Sequence, residues 1–272
     1  MRVAVLGSGS AGNALVVESR GRRLLVDVGF SCRQIEKRYE SLGSGPLSLD
    51  AVLLTHEHSD HTKGVRVLAK RHQMPVYATR GTLDHLGRRL GEGDANPLDA
   101  HRIRSGEPFE IEAGGETVFR VEPFALPHDA REPVGFVIED QDGHRMGLAA
   151  DLGCRSQLAW GRLTDLDLLV LEANHDLQML RAGPYPWHLK QRVASRHGHL
   201  SNREAAEGLA ELVCDRLRTV VLYHLSQTNN QPALATETLG EALESTGAVA
   251  DLVVSHQDRP TTWLDLPAAT AG

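Results

Sequence analysis

The segment Thr55-His56-Glu57-His58-Ser59-Asp60-His61 places three histidines and an aspartate within six residues, directly after the apolar run Ala51–Leu54. His56 and His58 are two residues apart, so in extended backbone their side chains fall on the same side. Asp60 and His61 follow as the chain turns into a helix predicted over Thr62–His72. One segment can thus offer two imidazoles to one metal ion and an Asp-His pair to another. Neutral imidazole and carboxylate donors suit Zn, Mn or Fe, and the lack of thiolate disfavours a purely structural zinc site. The alternative is a polar loop that happens to hold three histidines, but packing makes no such demand. Glu57 points to the opposite side of the extended backbone and is expected to be structural. His72, His85, His101, His144 and His256 are expected to be non-ligands.

A chain of 272 residues can bury a sizeable core. With 41% hydrophobic and 24% charged residues, wholesale disorder is excluded. A net charge of −7 argues against a generally basic nucleic-acid coat protein and leaves a local basic groove open. No run of eighteen apolar residues suggests a membrane span. The opening Met1–Gly7 reaches Gly and Ser too soon for a signal-peptide core, so a cytoplasmic protein is expected. Three cysteines, at 32, 154 and 214, are odd in number and far apart, which makes a disulfide framework improbable.

The elements that must position the donors read as hairpins first, then mixed strands and helices. Arg2–Leu6, Ala14–Glu18, Arg23–Asp27 and Ala51–Thr55 are predicted strands. Thr82–Leu90 has helical spacing. Strands follow at Pro75–Ala78, Thr117–Phe124, Val134–Glu139 and Arg145–Ala150. Next come a strand at Leu166–Glu172, helices over 176–182, 187–195 and 203–214, a strand at Thr219–Tyr223, a helix at Pro232–Ser245 and a strand at Ala248–Ser255. Two mixed β-sheets packed together with helices outside both, a four-layer αββα sandwich, suit this order. Residues 1–266 are expected to form one domain, with 267–272 a loose tail.

One motif is a decoy. Gly7-x-Gly9-x-x-Gly12 follows a strand and Asp27 lies fifteen residues later, which imitates a dinucleotide fingerprint. That fingerprint needs a helix N-terminus for the pyrophosphate. Here the β-rich run from Ala14 to Asp27, with its Ser-Arg-Gly turn, predicts a hairpin instead.

The HxHxDH pattern over 56–61 resembles the signature of the metallo-β-lactamase superfamily, and other stretches match its remaining motifs. Asp27 in Leu-Leu-Val-Asp-Val-Gly, His128 in Leu-Pro-His-Asp-Ala, Asp151 in Ala-Ala-Asp-Leu-Gly and His224 in Leu-Tyr-His-Leu-Ser stand in order, mostly at strand ends. The resemblance implies one metal ion held by His56, His58, His128 and Asp151, and a second held by Asp60, His61, Asp151 and His224. Asp27 would orient the ligand loop. Taken singly, Asp27 and Asp151 read equally as turn residues and His128 as a satisfied loop histidine. The bridging Asp and the lack of Cys in these slots are similar to the phosphodiesterase branch rather than to β-lactamases.

Further clusters look like the YycJ/WalJ-type exonucleases: Gly7–Asn13, Glu172-Ala-Asn-His-Asp176, Tyr185-Pro-Trp187, Gly198-His-Leu-Ser-Asn202 and His224-Leu-Ser226-x-x-Asn229-Asn230. This resemblance implies 5′→3′ degradation of DNA, in particular duplex DNA with a 5′-phosphate. A hydroxide bridging two ions about 3.5–4 Å apart would attack phosphorus. By analogy with phosphodiesterases such as ribonuclease Z, Glu172 and His199 would support leaving-group protonation. The alternative for His199 is a turn, with Ser201 or Asn202 capping the following helix. Only 72 residues separate Asp151 from His224, so the extra domain of ribonuclease J-type relatives does not fit.

From Leu177 to Arg203 there is no Asp or Glu, while Arg181, Lys190, Arg192, Arg196 and Arg203 give the stretch five formal positive charges. Such a segment suits a phosphate-facing surface, and Tyr185 or Trp187 could stack on an end base. The alternative is a solvated Arg-rich helix with Trp187 in the core. Ser10, Asn13, Ser226 and Asn229 complete the expected substrate contacts, although Ser10 and Asn13 could equally serve the Gly-rich turn. The expectation is therefore a metal-dependent DNA exonuclease with two divalent ions. The competing reading is a small-molecule hydrolase, a cyclic-phosphate phosphodiesterase or thioester hydrolase, on the same ions. The pattern leaves open a third, non-enzymatic role as a metal-stabilised nucleic-acid-binding protein. Oligomeric state is not readable.

Overall fold

Alternation along the first strands sets up the architecture. In β1 (Arg2–Gly7), β2 (Ala14–Ser19) and β3 (Arg22–Val26), Val3, Val5, Leu15, Val17, Leu24 and Val26 face one apolar core, while Leu6, Val16 and Leu25 face another. Both faces are apolar because both are covered, the condition of a sheet inside a layered fold. The computed structural model describes residues 1–90 and 98–266; the tail expected over 267–272 lies outside the described residues.

The chain continues through α1 (Cys32–Glu40), β4 (Ala51–Leu53), α2 (Ser59–Thr62), α3 (Val65–His72), β5 (Val76–Thr79), α4 (Arg80–Leu90) and β6 (Ala100–Ile103). Then follow β7 (Phe109–Ala113), β8 (Glu116–Ala125), β9 (Val134–Asp140), β10 (Arg145–Ala149), α5 (Gln157–Trp160) and β11 (Leu168–Glu172). The last elements are α6 (Leu177–Ala182), α7 (Trp187–Val193), α8 (Asn202–Leu212), β12 (Thr219–Tyr223), α9 (Pro232–Thr246), β13 (Asp251–Val254) and β14 (Leu264–Asp265).

These strands make two seven-stranded mixed sheets, ordered β14-β1-β2-β3-β4-β5-β6 and β13-β12-β11-β10-β9-β8-β7. Each sheet begins with antiparallel hairpins and ends with parallel strands: β3 to β6 in the first, β10 to β13 in the second. The core between the sheets draws on both, with Val5, Leu15 and Val26 on one side and Phe119, Phe136 and Val170 on the other. Helices α1 and α3 cover the outer face of the first sheet through Ile35, Tyr39 and Leu68. Helices α5, α8 and α9 cover the second through Trp160, Leu209 and Leu239. The expected αββα sandwich is the observed fold. Among the described residues no helix is long and apolar enough to cross a membrane.

The structure departs from the sequence expectation in several places. Helix α1 was not expected; Ser31 caps it, with a capping box to Gln34, and it buries Cys32, Ile35 and Tyr39. Strands β6, β7 and β14 and the short α5 were also outside the expected set. The helix expected over Thr62–His72 starts later, as α3 at Val65, with Thr62 closing the short α2 and Gly64 between them packed against the Phe30 loop. A Cβ on Gly64 would lie 1.9 Å from the Phe30 carbonyl oxygen, and the Gly64 N–H donates to Val28 O at 3.0 Å. The Gly-rich turn leads into the antiparallel β2–β3 hairpin rather than a helix, so no dinucleotide site follows it.

Candidate metal centre

The site lies at the carboxyl ends of the parallel strands, the edge where open α/β sheets collect ligands. Asp27 follows β3, the His56–His61 loop follows β4, Asp151 follows β10, Glu172 ends β11 and His224 follows β12. Asp27, Asp151 and His224 have left-handed backbone, with φ of 61°, 56° and 56°. Each such residue costs about 1–3 kcal/mol, a strain typical of functional sites. It turns the chain sharply out of its strand just where a donor is needed.

The ligand loop is sewn to two neighbours. Asn13 N–H donates to Asp60 O at 2.8 Å, Val28 N–H to His61 O at 2.7 Å and Gly29 N–H to Asn13 O at 2.8 Å. A Cβ on Gly29 would stand 1.7 Å from the Asp60 carbonyl oxygen, so only glycine lets these loops meet. Asp27 holds the loop from behind. Its carboxylate accepts from Thr55 N–H at 2.9 Å and from the Thr55 hydroxyl, and sits 2.7 Å from His61 Nδ1.

Two donor groups result, and Asp151 belongs to both. His56, His58, His128 and Asp151 form one; Asp60, His61, Asp151 and His224 form the other; within each, the donor atoms lie within 4.8 Å of one another. Asp151 Oδ2 is 3.4 Å from His56 Nε2, 3.7 Å from His128 Nε2 and 3.2 Å from His61 Nε2. Asp60 Oδ2 is 3.6 Å from His61 Nε2 and 3.4 Å from His224 Nε2. Nitrogen and oxygen donors bound at about 2.0–2.2 Å around one tetrahedral ion stand about 3.4 Å apart. The observed spacings bracket that value.

Tautomers favour the same reading. His128 Nδ1 donates to Gly198 O at 3.0 Å, so the neutral ring keeps a lone pair on Nε2, 3.7 Å from Asp151, and the 2.7 Å contact of His61 Nδ1 with Asp27 turns its Nε2 toward Asp151 at 3.2 Å. Buried His56 Nε2 and Asp151 Oδ1 have no hydrogen-bond partner. Buried polar atoms left without partners fit a cation bound among them.

Charge makes the same demand. Burial, and then neighbouring imidazoles, push His56 and His58 below the ordinary histidine value. Burial also opposes charge on His61, yet Asp151, Asp27 and Asp60 outweigh it and raise His61 well above 6.5. His224 is likewise raised to about 10 against burial, chiefly by Asp151 and Asp60. Asp151 is held well below the usual carboxylate range despite its burial, by His224 and His61. Protons on two histidines thus substitute for positive charge that divalent ions supply, and the donor set fits divalent metal.

Beside the donors, Glu172 and His199 form a second unit. Glu172 is fully buried. Its Oε1 is 2.7 Å from His199 Nδ1, and its Oε2 accepts from Leu152 N–H at 2.7 Å and Leu200 N–H at 3.2 Å. Burial works against its charge, but His199 and then His224 hold the carboxyl down to about 2. His199 is raised above 6.5, Glu172 outweighing burial. Capping does not compete for His199, because Ser201 makes the capping box of α8 with Glu204.

A cavity of about 240 Å³ opens over both units, lined among others by Ser10, His58, Asp60, His128, Asp151, Tyr185, Arg192, His199 and His224. Of the expected substrate contacts, Ser10, Tyr185 and Arg192 reach it. The others are placed elsewhere. Asn13 is buried, with Nδ2 3.1 Å from His61 Nε2 and Oδ1 accepting from Gly9 N–H, so it braces the loop. Ser226 Oγ accepts from Asn229 N–H within a turn, and Asn229 is itself buried. Arg196 lines a separate cavity with Cys154 and Trp160. Lys190 Nζ donates to Arg181 O on the protein surface, and Trp187 is 72% exposed, so it is not a core residue.

Three contributors escaped the sequence reading. Asp129 lines the cavity, 3.3 Å from His128 Nε2, and pairs with Arg192 Nε at 2.6 Å. Asn174 Nδ2 donates to His224 O at 2.9 Å, and Ser8 Oγ accepts from His224 N–H at 2.8 Å; together they hold the strained His224 backbone. Asp129 neighbours His128, and Ser8 and Asn174 fall inside the clusters Gly7–Asn13 and Glu172–Asp176, but nothing in those stretches singled them out.

A family model described as beta-lactamase superfamily domain matches residues 22–225. Over 264 residues the chain is 34% identical to exodeoxyribonuclease YycJ of Bacillus anthracis, covering 96% of each protein. It is 36% identical over 256 residues to exodeoxyribonuclease WalJ of Streptococcus pneumoniae, covering 93% of this chain and 90% of that one. Zn²⁺-bound PqqB from Methylobacterium extorquens shares the fold, with a TM-score of 0.70 and 22% identity over 98% of this chain and all of that one.

Proposed function

The chain belongs to the beta-lactamase superfamily, and on that premise we propose that it is a metal-dependent hydrolase of phosphodiester bonds, an exodeoxyribonuclease. The observation that carries the chemistry is the shared Asp151: one buried carboxylate reaches both donor groups, and His199 lines the same cavity. The similarity to YycJ and WalJ over more than nine-tenths of the chain supports DNA as substrate. The finer reading is two divalent ions (Zn or Mn, with Fe third), 5′→3′ action on duplex DNA bearing a 5′-phosphate, and a cytoplasmic protein.

His56, His58, His128 and Asp151 would hold one ion, and Asp60, His61, Asp151 and His224 the other. Such ions supply Lewis acidity, ionising water near neutral pH and neutralising charge on phosphate oxygens. Asp27 fixes the His61 ring and the loop that bears it, so the donors are set before substrate arrives. Glu172 binds His199 through Nδ1, leaving Nε2 as the nitrogen available to the cavity. The raised His199 keeps a proton there and delivers it to the departing sugar oxygen. Arg192, held by Asp129 at the cavity wall, presents its remaining N–H groups to a phosphate.

Arg192→Ala tests the substrate assignment. It should weaken cleavage of linear duplex DNA and lower the salt slope of DNA binding by about one, while sparing hydrolysis of bis-p-nitrophenyl phosphate. Equal loss on both substrates would move the assignment to a small-molecule hydrolase.

A further inference from the structure

Helices α1 and α3, away from the catalytic cavity, bring together a thiol, a carboxylate and an imidazole. Cys32 and Glu36 stand one turn apart on α1, and His72 is the last residue of α3. Cys32 Sγ lies 3.6 Å from Glu36 Oε1, and His72 Nε2 lies 3.2 Å from the same oxygen. All three donor atoms fall within 4.8 Å of one another. With Zn–S near 2.3 Å and Zn–N and Zn–O near 2.0–2.2 Å, tetrahedral angles require about 3.6 Å between S and O and about 3.4 Å between N and O. The two observed spacings lie close to both. We propose that Cys32, Glu36 and, against the sequence expectation, His72 form a further metal site, for Zn²⁺ or another borderline divalent cation, with the fourth position open to water.

The mixed S, N, O donor set is what separates this site from the catalytic one, where every donor is nitrogen or oxygen. Cys32 is only 4% exposed, and the Glu36 and His72 side chains are 16% and 14% exposed, so an ion would be sheltered yet reachable. The Arg71 guanidinium now holds Glu36 Oε1 at 2.9 Å, but its side chain is 65% exposed and can withdraw into solvent. A contrasting cluster, Asp140, Asp142 and His144, lacks this freedom. Its central Asp140 already accepts from Ser19 Oγ at 2.6 Å and from the N–H groups of Asp142 and His144 at 2.9 and 3.0 Å.

Binding exchanges the Cys32 S–H proton, released to solvent, for a sulfur–metal bond. The consequence is structural. Helix α1 follows the loop that carries Asp27, and α3 follows the ligand loop. Those loops already touch through the Gly64 N–H to Val28 O bond. An ion shared by α1 and α3 would close that connection from the far side.

Cobalt substitution separates the two sites. The metal-stripped full-length chain is loaded with Co²⁺ and its near-ultraviolet spectrum and bound metal are measured. The expected result is a thiolate-to-Co²⁺ charge-transfer band. That band should be lost in Cys32→Ser and in His72→Ala, with bound Co²⁺ falling by one ion per chain, and kept in Cys154→Ser and Cys214→Ser. A wild-type spectrum without the band overturns the proposal whatever the variants do. So does a band that survives Cys32→Ser or His72→Ala, or one that vanishes with Cys154 or Cys214.

Discussion

Glu172→Gln isolates the proposed proton donor, because it keeps the shape of a fully buried side chain and removes only its charge. Two backbone N–H groups and His199 Nδ1 converge on that carboxylate. Its pKa drops from 4.5 to about 2 in the fold. At 1.36 kcal/mol per pKa unit, the surroundings favour the anion by a net of about 3 kcal/mol, with His199 and then His224 outweighing burial. Without the anion His199 loses its orienting partner and the largest of the influences that raise its pKa, and general acid catalysis of this kind usually contributes about 10²–10⁴-fold. At pH 7.5 kcat on 5′-labelled linear DNA should fall by about that factor. The descending limb of the pH profile should move to lower pH, because a histidine held above 6.5 by Glu172 gives up its proton sooner without it. Hydrolysis of bis-p-nitrophenyl phosphate, whose nitrophenolate leaves without a proton, should be nearly unchanged, as should bound metal. Wild-type kcat and pH profile on DNA would refute the donor role. Loss of metal, or equal loss on both substrates, would recast Glu172 as a structural anchor.

Other expectations follow from the same geometry. Asp27→Asn removes the anion that fixes His61 Nδ1 and should weaken metal affinity by about 10–100-fold, read by competition with a chromogenic chelator. Stripping metal should make stability pH-dependent in a defined direction. His224, raised to about 10, stabilises the metal-free fold fully below 6.5, and this contribution is lost as pH rises through about 10. The Tm of stripped protein should therefore decline across that window, and reloading Zn²⁺ should flatten the decline.

The ligand loop was the most legible part of the chain, since four donors in six residues serve no packing purpose. The strands were legible too, because alternating and continuous apolar runs such as Val3–Leu6 and Leu168–Leu171 declare burial directly. Helix α1 carried its signals, a Ser31–Gln34 capping box and buried residues at 32, 35 and 39. Six charged or amide residues among its nine obscured them. Strand β6 had no pattern to read, with three of its four residues exposed. The basic stretch was misleading in detail. Helix α7 buries none of its residues, so charge along it says little about which side chains turn toward the cavity. Of that charge, Arg192 lines the cavity, positioned by an Asp129 that lies 63 residues away in sequence. The left-handed backbone at Asp27, Asp151 and His224 was not legible either, because the fold imposes it through contacts such as Ser8 Oγ on His224 N–H.

The most direct test of the central claim is a nuclease assay on metal-stripped protein restored with Mn²⁺ or Zn²⁺, beside Asp60→Ala. The substrate is linear duplex DNA with a labelled 5′-phosphate. Release of labelled nucleotide from the 5′ end with either metal, abolished in Asp60→Ala, is the predicted result. Intact DNA with both metals, alongside ready cleavage of a small phosphodiester, would contradict it.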